Sequence, residues 1–345
     1  MAIVLECRAV TVDYGSVRAL RGIDLTLEAG ETLAILGPSG AGKTTLVHAV
    51  AGFVPLAGGE IRMNGSVVAD QRGGLPPDRR QVGVVFQNYA LWPHLDALDN
   101  VAYPLRRAGA SKATARVEAA ALMERLGLRE LEHRRPAQLS GGQQQRVGMA
   151  RALARRASLF LFDEPTAHLD ATVRTKVQAE IARVRRDSGA AAIYSSHDAG
   201  EALAIADRLA LLREGRLVQI GSPGEVYEQP VDEWAARLTG PVAVLAGESD
   251  GSSVTVGEVV VKTPDRGIPP GSVRVLVRPD WVSGDGPLPG VVEEVMFRGP
   301  HTDYRVRTAS GMLDVRLAGP PRMEVGVRRG WSIDRGWVLE SDPGG

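Results

Sequence analysis

Gly37-Pro38-Ser39-Gly40-Ala41-Gly42-Lys43-Thr44-Thr45 fits the pattern G-x-x-x-x-G-K-[ST], and its reading decides the fold. Glycines at this spacing let the backbone turn with positive φ, so that successive N–H groups face a common centre. A helix leaving the loop aims its N-terminus at the same centre, where an anion is stabilised. Lys43 adds a point charge for terminal phosphates, and the Thr44 hydroxyl suits Mg²⁺. The flanks agree: residues 32–36 (TLAIL) read as a buried strand entering the loop, and residues 44–53 as a helix leaving it. Strand, loop and helix in that order predict a nucleotide site.

The bulk properties bound what surrounds it. At 345 residues the chain is long for one domain, and two are expected. The formal net charge is zero, so no global field draws it to nucleic acid or anionic lipid. A single cysteine, Cys7, excludes an internal disulfide and suits a reducing compartment. No stretch approaches the ~20 apolar residues that span a bilayer. The N-terminal residues lack a signal pattern, so a soluble protein is expected, held at any membrane by a partner.

Apolar strand runs at 32–36, 82–86, 159–162 and 191–195 alternate with helical stretches. Such interleaving predicts an α/β core with a largely parallel sheet. Residues 1–30 alternate like strands, with Gly15, Gly22 and Gly30 as turn points. An insert at about 88–156 reads as amphipathic helices, with Val117, Ala121, Leu122 and Leu126 on one face. Its excess of basic residues reads as solvated helix surface, because no interleaved aromatics accompany the charges. Beyond about 240 the composition shifts to short Val-rich runs broken by Gly and Pro, at 253–261, 273–277, 291–297, 304–308 and 312–317. This predicts a small all-β barrel or sandwich.

Leu159-Phe160-Leu161-Phe162-Asp163-Glu164 is an apolar strand ending in two carboxylates. A buried strand there sets Asp163 beside the phosphate loop, to position Mg²⁺ through water. Glu164, one residue on, is placed to accept a proton from an attacking water. Phosphoryl transfer needs this division between a metal-binding and a nucleophile-activating carboxylate. Leu139-Ser140-Gly141-Gly142-Gln143-Gln144-Gln145-Arg146 adds a Ser-Gly-Gly turn at a helix start, again offering N–H donors and a hydroxyl to an anion. One chain already has its phosphate loop; a second anion site makes sense if it serves another subunit's nucleotide.

At this point the sequence resembles the ABC-transporter ATPase family, whose signature LSGGQQQR matches. The resemblance implies an α/β P-loop ATPase core with a helical subdomain and a C-terminal all-β, OB-like barrel, with domains at 1–238 and 239–345. It implies ATP and Mg²⁺ as ligands. Residues 37–45 (Gly37, Pro38, Ser39, Gly40, Ala41, Gly42, Lys43, Thr44, Thr45) then hold the phosphates, and Tyr14 stacks on adenine. Gln87 senses Mg²⁺ and the attacking water, alongside Thr44 and Asp163 at the metal. Glu164 acts as base, and His197, in Ser195-Ser196-His197-Asp198, contacts the γ-phosphate and orients it. Ser140, Gly141, Gly142, Gln143 and Asp170 serve the nucleotide across a head-to-tail pair. His168 departs from the small or amide residue expected beside Asp170.

The segment Arg79-Arg80-Gln81-Val82-Gly83-Val84-Val85-Phe86-Gln87-Asn88-Tyr89-Ala90-Leu91-Trp92-Pro93-His94-Leu95 is similar to the importer branch that takes up polyamines, iron(III), sugars and sulfate. Tyr89, Leu91, Trp92 and Pro93 then form the groove that receives a permease helix. Val277-Arg278-Pro279-Asp280 and residues 291–304 resemble the OB-like domain of that branch. The resemblance as a whole implies an ATP-hydrolysing importer subunit at the cytoplasmic face of the membrane. Such a subunit pairs with a second, identical ATPase and two permease subunits, is served by a solute-binding protein, and has no nucleic-acid partner. The cargo leans to polyamine or iron(III). Exporter and nucleic-acid-acting ATPases of the same family are the alternatives.

Overall fold

A computed structural model describes residues 2–86, 89–155, 157–166, 169–264 and 267–339. By packing, the chain divides into Met1–Pro223 and Gly224–Gly345. The compositional shift at 240 falls inside the second unit.

The first unit is built on a six-stranded sheet. In spatial order its strands are Arg216–Gly221, Arg208–Arg213, Thr32–Leu36, Ala191–Ser196, Leu159–Asp163 and Val82–Val85. All pairs are parallel except the one with Arg216–Gly221. Every residue of the Thr32–Leu36, Leu159–Asp163 and Ala191–Ser196 strands is buried. Helices cover both faces of such a sheet, which is why these strands read as unbroken apolar runs. Each fully buried Leu, Ile or Phe contributes about 1.5–3 kcal/mol. The carboxyl ends of the strands carry the phosphate loop, Asp163 and the Ser195-Ser196-His197 turn, where open α/β sheets bind their ligands.

A second, antiparallel sheet contains the long hairpin of Ile3–Tyr14 and Val17–Glu28. Gly15 takes φ 60° in its turn, as expected. Gly22 does not mark a turn; it lies inside the second strand with φ 72°.

The helical insert consists of Ala97–Arg107, Lys112–Arg125 and Gly141–Ala154. The side chains of Asp96 and Ser111 cap the first two by accepting N–H bonds from Asp99 and Thr114. The buried face of Lys112–Arg125 is Ala115, Ala119, Leu122 and Met123. Val117, expected on that face, is 71% exposed. The apolar spacing marked the helix but not which stripe faces inward, because alanines on both sides blur the period.

In the second unit, two antiparallel sheets of five and four strands share one core around Trp331, Val275, Val292 and Val306. The run 253–261 is a tight hairpin, Val254–Val256 with Val259–Val261. Arg278 is fully buried. Its Nη atoms donate to the carbonyls of Tyr227, Ala236, Gly240 and Pro241 and to Thr239 Oγ1. Its guanidinium lies 4.0 Å above the Tyr227 ring. Burial lowers its pKa to about 10, still far above neutrality.

Candidate functional site

The phosphate loop is shaped by two glycines that nothing larger could replace. A Cβ at Gly37 would lie 2.4 Å from Leu212 O, and one at Gly42 2.9 Å from Ala19 O. Gly42 also has φ 107°, in the left-handed region. The Lys43–Ala51 helix that follows has no side-chain cap, so its first-turn N–H groups remain available to an anion.

Lys43 is 5% exposed. Its Nζ donates to Gly37 O at 2.9 Å and Pro38 O at 3.2 Å, and lies 3.3 Å from Glu164 Oε1. Carbonyls and a carboxylate thus hold the ammonium over the loop. The other Glu164 oxygen, Oε2, lies 3.0 Å from His197 Nδ1. Glu164 itself has φ 46°, rare for a residue with a Cβ. That left-handed turn ends the strand's alternation.

Beside this run sits a second one. Thr44 Oγ1 donates to Asp163 Oδ1 at 3.1 Å, and Ser195 Oγ donates to the same oxygen at 2.8 Å. The Glu164 N–H donates to Ser195 Oγ at 3.1 Å. Asp163 is 1% exposed. One hydroxyl and one carboxylate, both hard oxygen donors, suit Mg²⁺, which keeps its remaining positions for water and phosphate oxygens. Among the described residues no group of three or more acidic, His or Cys side chains offers an all-protein cage. The donor set therefore fits a metal that arrives with a phosphate ligand.

The structure thus brings residues 37–45, Asp163, Glu164 and His197 together. Other expected residues lie apart. Ser140 caps the Gly141–Ala154 helix: its Oγ accepts from Gln143 N at 3.3 Å, and its N–H donates to Gln143 Oε1 at 2.8 Å. Among the described residues no hydrogen bond or ion pair joins Ser140, Gly141, Gly142 or Gln143 to the phosphate loop of the same chain. Asp170 caps the Ala171–Ser188 helix through Val173 N. Tyr14 ends its strand with 49% of its surface exposed. Gln87 and His168 lie outside the described residues.

Three contacts escaped the sequence reading. Gln145, 1% exposed, donates from Nε2 to Pro165 O at 2.6 Å, tying the Ser140 helix to the turn after Glu164. Ser195 bridges Asp163 and Glu164. Arg151 donates to Tyr89 O and Ala90 O and stacks 4.6 Å over Trp92, which meets Tyr103 at 4.5 Å. Burial pulls its pKa down to about 10. A charged or amide side chain inside an otherwise helical apolar pattern was the only available signal for Gln145 and Arg151.

Comparison with known proteins agrees with this geometry. The ABC transporter family profile matches residues 20–167, and the TOBE domain profile residues 275–339. The Fe(3+) ions import ATP-binding protein FbpC of Agrobacterium fabrum is 40% identical over 309 residues, covering 87% of this chain and 86% of that protein. The spermidine/putrescine import ATP-binding protein PotA of Thermobifida fusca is 38% identical over 325 residues, covering 89% and 83%. A dimeric structure of the ATP-binding cassette MJ0796, in a post-hydrolysis state with ADP and Pi, superposes with a TM-score of 0.58. It is 30% identical and covers 64% of this chain and 98% of that one.

Proposed function

The chain belongs to the ABC transporter family, as an ATP-hydrolysing subunit of the importer branch, and from that premise we propose how its residues divide the work. Residues 1–238 are assigned to the ATPase domain and 239–345 to the appended β domain; the two family matches fall on either side of that boundary, whereas packing groups residues 224–238 with the β unit. Residues 37–45 bind the phosphates of ATP, with Lys43 turning from Gly37 O and Pro38 O to the terminal oxygens. Tyr14 stacks on the adenine. Thr44, Asp163 and Gln87 would hold Mg²⁺, which would supply charge neutralisation at the phosphate oxygens. Glu164 takes a proton from the attacking water. His197 keeps the Glu164 carboxylate in place and contacts the γ-phosphate.

The observation that carries this reading is the continuous run Lys43–Glu164–His197 beside Thr44–Asp163. It puts a base, its orienting group and a phosphate ligand within hydrogen-bonding reach of one another.

The rest of the site comes from a second copy. Ser140, Gly141, Gly142, Gln143 and Asp170 complete the partner's nucleotide site in a twofold, head-to-tail homodimer. The lack of any hydrogen bond from Ser140 to its own phosphate loop among the described residues supports this, as does the dimeric MJ0796 cassette. ATP closes the pair and hydrolysis reopens it, a population shift set by tighter ATP binding to the closed form. Tyr89, Leu91, Trp92 and Pro93 pass that motion to two permease subunits at the cytoplasmic face of the membrane, and a solute-binding protein delivers the cargo. No helix of the described residues is long and apolar enough to cross the bilayer itself. The cargo leans to iron(III) or a polyamine, the cargoes that the names of the FbpC and PotA relatives give. Nucleic acid plays no part.

The test is Glu164→Gln, sized with and without Mg-ATP. Hydrolysis falls by about 10²–10⁴-fold, and the monomer becomes a dimer only with ATP. A monomer that binds ATP without pairing would sink the shared site.

A further inference from the structure

Glu201 lies in the short Ala199–Ile205 helix, outside the motifs of the nucleotide site. Its carboxylate gathers four donors from three segments. Tyr194 Oη donates to Oε1 at 2.6 Å, Gln178 Nε2 to Oε1 at 3.0 Å, and Ser196 Oγ to Oε2 at 2.7 Å. The Thr166 hydroxyl also donates to Oε1. Tyr194, Ser196 and Thr166 are all buried, and no cation pairs with Glu201 among the described residues. Glu201 itself is half-buried, and four neutral donors satisfy its oxygens. Asp198 anchors the other end by accepting the Glu201 N–H at 3.0 Å.

The identity of the donors gives the cluster its meaning. Ser196 adjoins His197. Thr166 lies two residues beyond Glu164. Tyr194 adjoins Ser195, whose hydroxyl bridges Asp163 and the Glu164 N–H. Gln178 stands on the helix that Asp170 caps. The segments that carry Glu164 and His197 thus reach the same carboxylate within a few residues. We propose that Glu201 is a positioning residue for ATP hydrolysis. It fixes the His197 turn and the segment after Glu164 to one point, so that the Glu164–His197 contact keeps its geometry. The proposal rests on the assignment of Glu164 and His197 above.

The experiment measures kcat, the Kd for ADP and the thermal midpoint in three variants. Glu201→Ala cuts all four bonds, and kcat falls roughly tenfold to a hundredfold, the effect of misplacing reacting groups by about an ångström. The ADP Kd stays at its wild-type value, because Lys43 and the phosphate loop do not touch the cluster. Glu201→Gln recovers most of the lost kcat. Its amide oxygen keeps the three donors at Oε1, and its NH₂ donates to Ser196 Oγ, freeing that hydroxyl to turn to Asp198 O, 3.4 Å away. Ser196→Ala, which cuts the Glu201 bond nearest His197 together with the bond that Ser196 Oγ accepts from Asp198 N at 3.0 Å, reproduces part of the loss and carries the test if Glu201→Ala does not fold. A lowered thermal midpoint with wild-type kcat in Glu201→Ala, or in Ser196→Ala where that variant carries the test, overturns the positioning role. So does a parallel fall in ADP affinity. If Glu164→Gln hydrolyses ATP at the wild-type rate, the underlying assignment fails, whatever Glu201 does.

Discussion

Two helix N-termini in the ATPase unit offer backbone N–H groups to an anion, and they are built in opposite ways. The Lys43–Ala51 helix starts at Gly42 with no side-chain cap, and Lys43, Thr44 and two carboxylates surround its opening. The Gly141–Ala154 helix starts at Ser140 with a closed capping box, and its first turn carries no acidic residue. The Arg146 guanidinium is taken up by backbone carbonyls, donating to Gly142 O, Leu126 O and Gly127 O. The open end is a binding site on its own. At the closed end a ligand must displace or share bonds worth about 1 kcal/mol, so it gains little unless another surface supplies the rest. That asymmetry is what a site divided between two chains requires.

The largest effect belongs to the open end. Lys43→Ala removes the buried ammonium and leaves Glu164 Oε1 without its partner. ATP affinity and hydrolysis both fall by about a hundredfold or more, of the order seen when a charge-stabilising donor is removed. Equilibrium binding to the monomer reads the first and phosphate release the second. Wild-type ATP affinity in this variant would erase the distinction between the two helix ends.

Ser140→Ala tests the closed end and separates the two. It costs the protein about 1 kcal/mol through the lost cap, a fall of about 2–4 °C in thermal midpoint. ADP binding to the monomer is unchanged. In the Glu164→Gln background, ATP no longer drives dimer formation at concentrations where the parent pairs. If monomer affinity falls instead, Ser140 acts on its own chain's nucleotide and the contrast collapses.

The same contrast shows what a sequence can reveal. Lys43, Asp163 and Glu164 were legible because the chemistry fixes both residue type and spacing, and because a phosphate loop needs a strand before it and a helix after it. Ser140 was legible as the start of a helix and an anion donor, and the structure adds that it caps that helix. That no hydrogen bond joins Ser140 to its own phosphate loop among the described residues is a property of the fold. Glu201 and Ser195 carried no signal: each is an ordinary polar residue whose role depends on segments distant in sequence meeting in space. In the β domain, Val-rich runs announced their strands, whereas Arg328–Ile333 and Trp337–Leu339 did not. The first opens with two arginines and a glycine, and its burial rests on Trp331 and Ile333; the second is only three residues long. Packing, not pattern, makes them strands.

The smallest effect sharpens the comparison most finely, because it divides the capping box into its two bonds. Gln143→Ala removes the acceptor of the Ser140 N–H but leaves the Gln143 N–H donating to Ser140 Oγ. The helix keeps its cap, and the thermal midpoint moves less than in Ser140→Ala. If the box mainly shapes the turn, ATP-driven pairing weakens by less than about tenfold, the worth of one neutral hydrogen bond. The freed Ser140 N–H then partly compensates by donating to the partner's nucleotide. Pairing lost as completely as in Ser140→Ala would mean that the Gln143 amide is itself a nucleotide ligand. The closed end would then resemble the open one, with a side chain as well as backbone committed to the anion. Sedimentation of both variants in the Glu164→Gln background, across a range of ATP concentrations, distinguishes the two by the shift in the pairing midpoint.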